Sequence, residues 1–253
     1  VETTLTLGDV EVARIGLGTN RLRDTPENAE FVRLAVAAGV GYVDTAHTYT
    51  DGASERTIGA ASPGPEVVVG TKGGFAPGTG SPEQLRAQVD ESLRRLRVES
   101  ISLYYLHRVD PETPLEESLA ALAECREAGK IRHVGLSHVD VEQIERAREV
   151  VPIAAVQNHY NLAERRYEDV VDHCQAEGIV FVPYFPLRDD GGRPVDEIAQ
   201  RHGATPAQVS LAWLLSRSPA MLPIPGSLSI EHVRENLAAL ELELSSDELE
   251  ALR

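Results

Sequence analysis

The sequence predicts a closed parallel (β/α)₈ barrel, and three observations carry that prediction. Short apolar or β-branched runs alternate eight times with helical patterns along a chain of 253 residues. Several helical segments open on Ser or Thr before Pro, as in SPEQL, TPLEE and TPAQV, and others close at Gly39, Gly129 and Gly178 just ahead of a strand-like run. No GxGxxG turn follows the first run, where GLGTN is only a weak match, so an open doubly wound sheet fits less well.

The elements follow in order. TLTLGDVEV alternates apolar and polar residues around Gly8-Asp9 and reads as an N-terminal β-hairpin. The strand-then-helix pairs begin with ARIGLGT and PENAEFVRLAVAAG, YVDTA and SERTIGAA, VVVGTK and PEQLRAQVDESLRRL, then ISLYYLH and PLEESLAALAECREAG. They continue with IRHVGLS and VEQIERAREV, IAAVQN and ERRYEDVVDHCQAEG, IVFVPY and PAQVSLAWLLSR, and end with MLPIPG and IEHVRENLAAL. The segment RDDGGRPVDEIAQRHGAT, inside the seventh pair between VPYFPL and PAQVSLAWLLSR, reads as a connecting loop, and SSDELEAL as a short terminal helix capped by Ser.

A hydrophobic content of 42% suffices for one large core, so a single domain spanning 1–253 is expected. Acidic residues outnumber basic ones by 40 to 24, and the resulting formal charge of −16 opposes nonspecific binding to nucleic acid or anionic lipid. Apolar runs stop well short of the ~18 residues of a membrane span, and no basic segment followed by an apolar one opens the chain, so a soluble cytoplasmic protein without a membrane partner is expected. Cys125 and Cys174 sit in helical patterns without CxxC spacing and read as buried thiols, and no metal site is expected.

Four polar residues stand where chemistry is expected. Asp44, Lys72 and His107 close or directly follow strand-like runs, and Tyr49 lies five residues past one. In a parallel barrel the C-terminal strand ends share one rim, so these residues meet there. A cation beside a phenol favours the phenolate and lowers the tyrosine pKa from ~10, which suits a tuned proton donor for carbonyl reduction.

These residues and their surroundings carry a resemblance. YVDTA, HTYTDGASE, VVVGTKGGF and LYYLHR hold Asp44, Tyr49, Lys72 and His107 in the order of the aldo-keto reductase tetrad, and GKIRHVGLSH, VQNHYN, VPYFPL and PIPGSLSIEHVRENLAA resemble further segments of that family. The resemblance runs nearly end to end. It implies NADPH-dependent reduction of an aldehyde or ketone, with NADH as a second candidate cofactor: Tyr49 gives the proton, His107 orients the carbonyl, Lys72 tunes Tyr49 and Asp44 positions Lys72. It further implies that Tyr184 stacks on the nicotinamide and that Ser137 and Gln157 bond its carboxamide, with His138 where the family usually has Asn. Gly18, Thr19, Asn20, Asp44, Phe185, Leu187 and Ile224 complete the expected cofactor set around the ring, and Gly226, Ser227, Ser229, Glu235 and Asn236 match the adenosine-phosphate segment. His232 stands where many members carry an arginine, which points to a modest NADPH preference.

By rim position His47, Phe75, Arg108 and Tyr160 are candidate contacts for a small-molecule carbonyl substrate, in a pocket left shallow and open by the short segment after VPYFPL. Two other functions compete: a barrel that binds cofactor for regulation or scaffolding with little turnover, and a Schiff-base lyase using Lys72. Asp44 opposes the second, because a carboxylate partner raises a lysine pKa. The substrate and oligomeric state are not readable from the sequence, which is compatible with a monomer.

Overall fold

A computed structural model of the chain describes residues 2–187 and 192–252. Two short strands, β1 (Thr4–Leu7) and β2 (Val10–Ala13), pair antiparallel across Gly8, whose φ of +67° suits the tight turn. Seven parallel strands follow in sequence order: β3 (Leu17–Gly18), β4 (Tyr42–Asp44), β5 (Val68–Gly73), β6 (Ile101–Leu106), β7 (Ile131–Ser137), β8 (Ile153–Gln157) and β9 (Val180–Phe181). The sheet curls on itself, and helices cover its outside.

Those helices are α1 (Pro26–Ala37), α2 (Ala53–Ala61), α3 (Pro82–Leu96), α4 (Leu115–Glu127), α5 (Val141–Arg148) and α6 (Glu168–Glu177), then α7 (Arg193–His202), α8 (Pro206–Arg217), α9 (Ile230–Ala238) and α10 (Ser246–Ala251). Thr25, Ser81 and Thr205 cap α1, α3 and α8 ahead of a proline in the first turn. The TPLEE start behaves differently: Pro114 is the N-cap of α4, while the Thr113 hydroxyl donates to Asp110 at 3.4 Å. The segment read as a connecting loop contains α7, whose Val195, Ile198 and Ala199 face the core. Their i, i+3, i+4 spacing was legible, and the flanking glycines obscured it.

Strand alternation divides the apolar residues into two cores. Val43, Tyr104, Leu106 and Val134 face the helices, while Tyr42, Val68, Leu103, Tyr105, Ala155, Val180 and Val182 fill the interior. Leu7 and Val12 of the hairpin join the interior cluster. Large and small residues interlock inside: a Cβ on Gly70 would stand 2.5 Å from the Tyr42 hydroxyl, and one on Gly135 would stand 2.5 Å from the Tyr105 ring.

The eighth strand-like run, MLPIPG, is not a continuous strand. It meets its neighbours through single bridges, Phe181 with Met221 on one side and Gly18 with Gly226 on the other. Towards β9 it accepts from and donates to Phe181, through Ala220 O at 2.8 Å and Leu222 N at 2.9 Å. Towards β3, Gly16 N and Gly18 N donate to Pro223 O and Pro225 O at 2.9 and 3.2 Å. Proline has no N–H, so alternate prolines delete every donor on that side and leave half a ladder. Arg14 reinforces the seam: fully buried, its guanidinium donates to the carbonyls of Met221, Leu215 and Ser218 at 3.3, 3.0 and 2.5 Å. Two of those carbonyls lie at the C-terminus of α8, where a cation is favoured.

Candidate active site

Inward parity sets the site. Tyr42 and Asp44 on β4, Gly70 and Lys72 on β5, and Tyr105 with His107 after β6 all point into the barrel, with Lys72 paired in register with Tyr105. The Lys72 ammonium is fully buried and donates to Asp44 Oδ1 and to Thr45 O, each at 2.6 Å. The other oxygen of Asp44 accepts from Tyr42 Oη at 3.1 Å and Gln157 Nε2 at 2.7 Å. A carboxylate this deeply buried needs such donors, since an uncompensated charge there costs several kcal/mol.

Tyr49 reaches the same place from a strained turn. After β4 the chain runs beside β5, with His47 N donating to Lys72 O at 2.9 Å, then forms a 3₁₀ turn at Tyr49–Gly52. Thr50, Asp51 and Gly52 all take positive φ, of 48°, 52° and 76°. Arg95 on α3 clamps the turn: it donates to His47 O at 2.9 Å, pairs with Glu91 and the buried Glu55, and lies where a Cβ on Gly52 would come within 2.4 Å of its Cζ. The strain is held by this surrounding network.

The turn sets the Tyr49 ring 4.9 Å from Lys72 Nζ and edge-on to His107, with ring centroids 6.2 Å apart. Burial raises the Tyr49 pKa, and the opposing pull of Lys72 does not cancel it. The phenol therefore holds its proton at neutral pH, in contrast to the lowered value expected from the cation alone. For Lys72, burial acts against the charge, yet Asp44 and Tyr49 outweigh it and its pKa is raised. Burial, helped by Lys72, pushes His107 down to about 2, so its imidazole is neutral. Its Nδ1 is buried without a hydrogen-bond partner among the described residues.

Asp44, Tyr49 and His107 line a cavity of about 620 Å³. Its other walls are Gly18, Thr19 and Asn20 after β3, His138 and Gln157, Tyr184, Phe185 and Leu187 after β9, and Ile224 to Gly226 at the seam. His138 takes a positive φ of 59° and ties two elements together, with Nδ1 2.9 Å from Ser137 Oγ and Nε2 2.9 Å from Tyr184 Oη. Ser137 Oγ also donates to Gln157 O at 2.8 Å. With the serine proton on that carbonyl, Nδ1 carries the ring proton and Nε2 accepts from Tyr184.

Comparison with known proteins decides the family. The profile of the aldo/keto reductase family matches residues 14–253. The chain belongs to this family. It is 35% identical to pyridoxine 4-dehydrogenase of Escherichia coli, over 98% of this chain and 96% of that protein. A thermostable aldo-keto reductase solved with the inhibitor epalrestat superposes with a TM-score of 0.91 at 33% identity, covering 99% of this chain and 98% of that one. An aldo/keto reductase from Klebsiella pneumoniae, solved with NADP and acetate, superposes at 0.89 with 32% identity, covering 100% and 94% of the two chains.

Not every residue expected at the site of this aldo/keto reductase reaches the cavity. Ser137 is buried behind His138, and Ser227, Ser229, His232, Glu235 and Asn236 lie around the start of α9, away from the cavity lining. Glu235 accepts from Thr205 Oγ1 at 2.7 Å, which ties α9 to α8. His47 turns outward to Glu91 Oε2 at 2.9 Å. Tyr160 is fully buried in the outer layer, stacked on Trp213 with its hydroxyl donating to Glu168 at 2.7 Å. Position after a strand did not reveal which way these side chains point. Conversely, Arg21, Pro186 and Pro225 line the cavity without having been singled out, although Arg21 directly follows GLGTN. The expected open pocket is walled in part by Phe75 and Phe185, both more than two-fifths exposed, and residues 188–191 of the short segment lie outside those described.

The depressed histidines of this aldo/keto reductase carry a stability prediction. Burial and nearby cations hold His107 near 2 and His138 near 4, both below the unfolded value of about 6.5. As pH falls below that value the unfolded chain binds protons that the folded protein refuses, so stability is lost on acidification. Each ring contributes a slope of up to about 1.4 kcal/mol per pH unit until its folded pKa is reached. Denaturant unfolding from pH 7 to 5 should show this fall, and His107→Gln should flatten it. A slope unchanged by the substitution would place the protonation elsewhere.

Proposed function

We propose that this chain is an NADPH-dependent carbonyl reductase in which Tyr49 protonates the carbonyl oxygen. The observation that carries the proposal is the meeting, at one cavity, of a proton-bearing Tyr49, a charged Lys72 4.9 Å from its ring and a neutral His107. When bound, the cofactor supplies the hydride that the carbonyl carbon receives. Lys72, held on Asp44, stabilises negative charge that develops on the phenol as its proton leaves. His107, kept neutral, offers a hydrogen bond to the carbonyl oxygen without competing for that proton.

The residues present fit a nicotinamide dinucleotide. Gly18 leaves bare backbone at the floor, where a Cβ would stand 2.8 Å from Ile224 O. Tyr184 offers its ring at the wall, His138 fixes that ring by its hydroxyl, and Arg21, which donates to Gly226 O at 3.3 Å, supplies a cation at the rim for phosphate. The MLPIPG run would then serve as the eighth stave, its seam forming part of the cofactor bed. The Schiff-base alternative is disfavoured, since the Lys72 amine is fully buried, charged and committed to Asp44 and Thr45.

Cofactor preference follows from the start of α9. The Ser229 hydroxyl accepts from His232 N at 3.3 Å and donates to Glu231 at 2.7 Å, while Ser227 Oγ exchanges hydrogen bonds with the Ser229 backbone. A carboxylate thus occupies the hydroxyl expected to meet the 2′-phosphate, and its bond to Ser229 favours the charged form. Preference for NADPH over NADH should therefore be modest. Glu231→Gln or His232→Arg should each tighten NADPH by about two- to fivefold and leave NADH unchanged. Fluorescence titration of both cofactors checks this, and an unaltered ratio in both variants would locate the phosphate elsewhere. The reductase reading itself is tested by NADPH oxidation against aldehydes, ketones and quinones, with Tyr49→Phe as control.

A further inference from the structure

The cavity wall beyond His107 has a composition that carbonyl reduction alone does not require. The Phe75 ring packs 4.8 Å from the His107 ring, and the Arg108 guanidinium lies 5.0 Å from the other ring centroid of that pair, Phe75. Both Phe75 and Arg108 line the cavity, and Phe75 is 44% exposed.

Arg108 is exposed at the cavity wall, and it differs from Arg95 and Arg217, whose guanidinium groups are held by carboxylates. Arg95 pairs with Glu91 and Glu55, and Arg217 pairs with Glu168 and Asp172. Arg108 has no carboxylate within ion-pair distance among the described residues, although acidic groups outnumber basic ones by 40 to 24 in the sequence. Among the described residues the cavity lining contains one acid, Asp44, which is 1% exposed and neutralised by Lys72. Among the described residues the cavity thus presents no accessible carboxylate and places a fork of donors beside an apolar ring. Arg108 also acts on its neighbours: its field helps hold both His107 and His138 in the neutral form.

We propose that the substrate is a carbonyl compound carrying an anionic group on an apolar, preferably aromatic, body. The body lies on Phe75, the carboxylate or phosphate pairs with Arg108, and the carbonyl stands at Tyr49 and His107. Guanidinium forks donate to such oxyanions in bidentate geometry, and the ring beneath holds the fork in place. The proposal rests on the reductase reading for its carbonyl end and on Arg108 alone for its anionic end.

The test compares 4-carboxybenzaldehyde with its methyl ester, which differ in charge at nearly constant shape. In the unmodified protein with NADPH, kcat/KM should favour the acid by about tenfold, chiefly through KM, and the advantage should shrink as salt is raised. In Arg108→Gln the ratio should fall to within about twofold of unity, and Arg108→Lys should restore part of it, because a point charge replaces the fork. A binding arm uses the corresponding alcohols without cofactor, reading the shift in melting temperature or the NMR line width of the ligand. The acid should bind more tightly than the ester, and Arg108→Gln should erase the difference. Equal kcat/KM for both aldehydes in the unmodified protein, or a ratio indifferent to Arg108→Gln, overturns the proposal. If neither aldehyde is reduced, the binding arm decides: a retained, Arg108-dependent preference supports the anion site while the reductase reading fails, and no preference overturns the site.

Discussion

Tyr49→Phe is expected to cut carbonyl reduction by about 10²–10⁴-fold, the range contributed by a positioned general acid. The substitution removes one oxygen and keeps the ring beside Lys72 and His107, at 4.9 Å and 6.2 Å. The clamp that shapes the turn is made by Arg95, Gly52 and the His47 carbonyl, and none of these depends on the phenol oxygen. Melting temperature and cofactor affinity should therefore stay close to those of the unmodified protein, so that the loss falls on kcat. A variant that reduces carbonyls within twofold of the original would remove Tyr49 from the mechanism.

Lys72→Met is expected to abolish reduction and also to destabilise the fold, by about 3–5 kcal/mol. The reason is what remains: Asp44, 1% exposed, keeps Tyr42 and Gln157 as donors but loses the ammonium 2.6 Å from its Oδ1. Adding Asp44→Asn removes the orphaned charge and should recover most of the stability without recovering activity. Chemical denaturation of the single and double variants separates these effects. Borohydride should trap no adduct between the unmodified protein and a carbonyl substrate, because the Lys72 amine is buried and charged. A trapped adduct at Lys72 would move the chemistry to the Schiff-base class.

Much of this site was legible because strand parity is local. In YVD and VVVGTKG alternate residues face one side, so Tyr42 with Asp44, and Val68 with Gly70 and Lys72, had to share the interior once the sheet curled. Tyr160 shows where such reading stops. It follows β8 as Tyr184 follows β9, yet one packs against Trp213 in the outer layer and the other walls the cavity. Beyond a strand end the backbone is free to turn, and only packing decides which way.

The sequence by itself determined the order of the first seven parallel strands and of every helix but α7, the inward row that carries Asp44, Lys72 and His107, and the family to which these residues belong. Tertiary structure alone decided how the barrel seam closes. The prolines of MLPIPG withhold donors from β3, and Arg14 gathers carbonyls more than 200 residues away to hold the seam. It also decided the charge states at the cavity, since burial outweighs the pull of Lys72 on Tyr49 and keeps His107 neutral. These outcomes depend on distances between segments remote in sequence and on the exclusion of water from between them, and neither exists until the chain has folded.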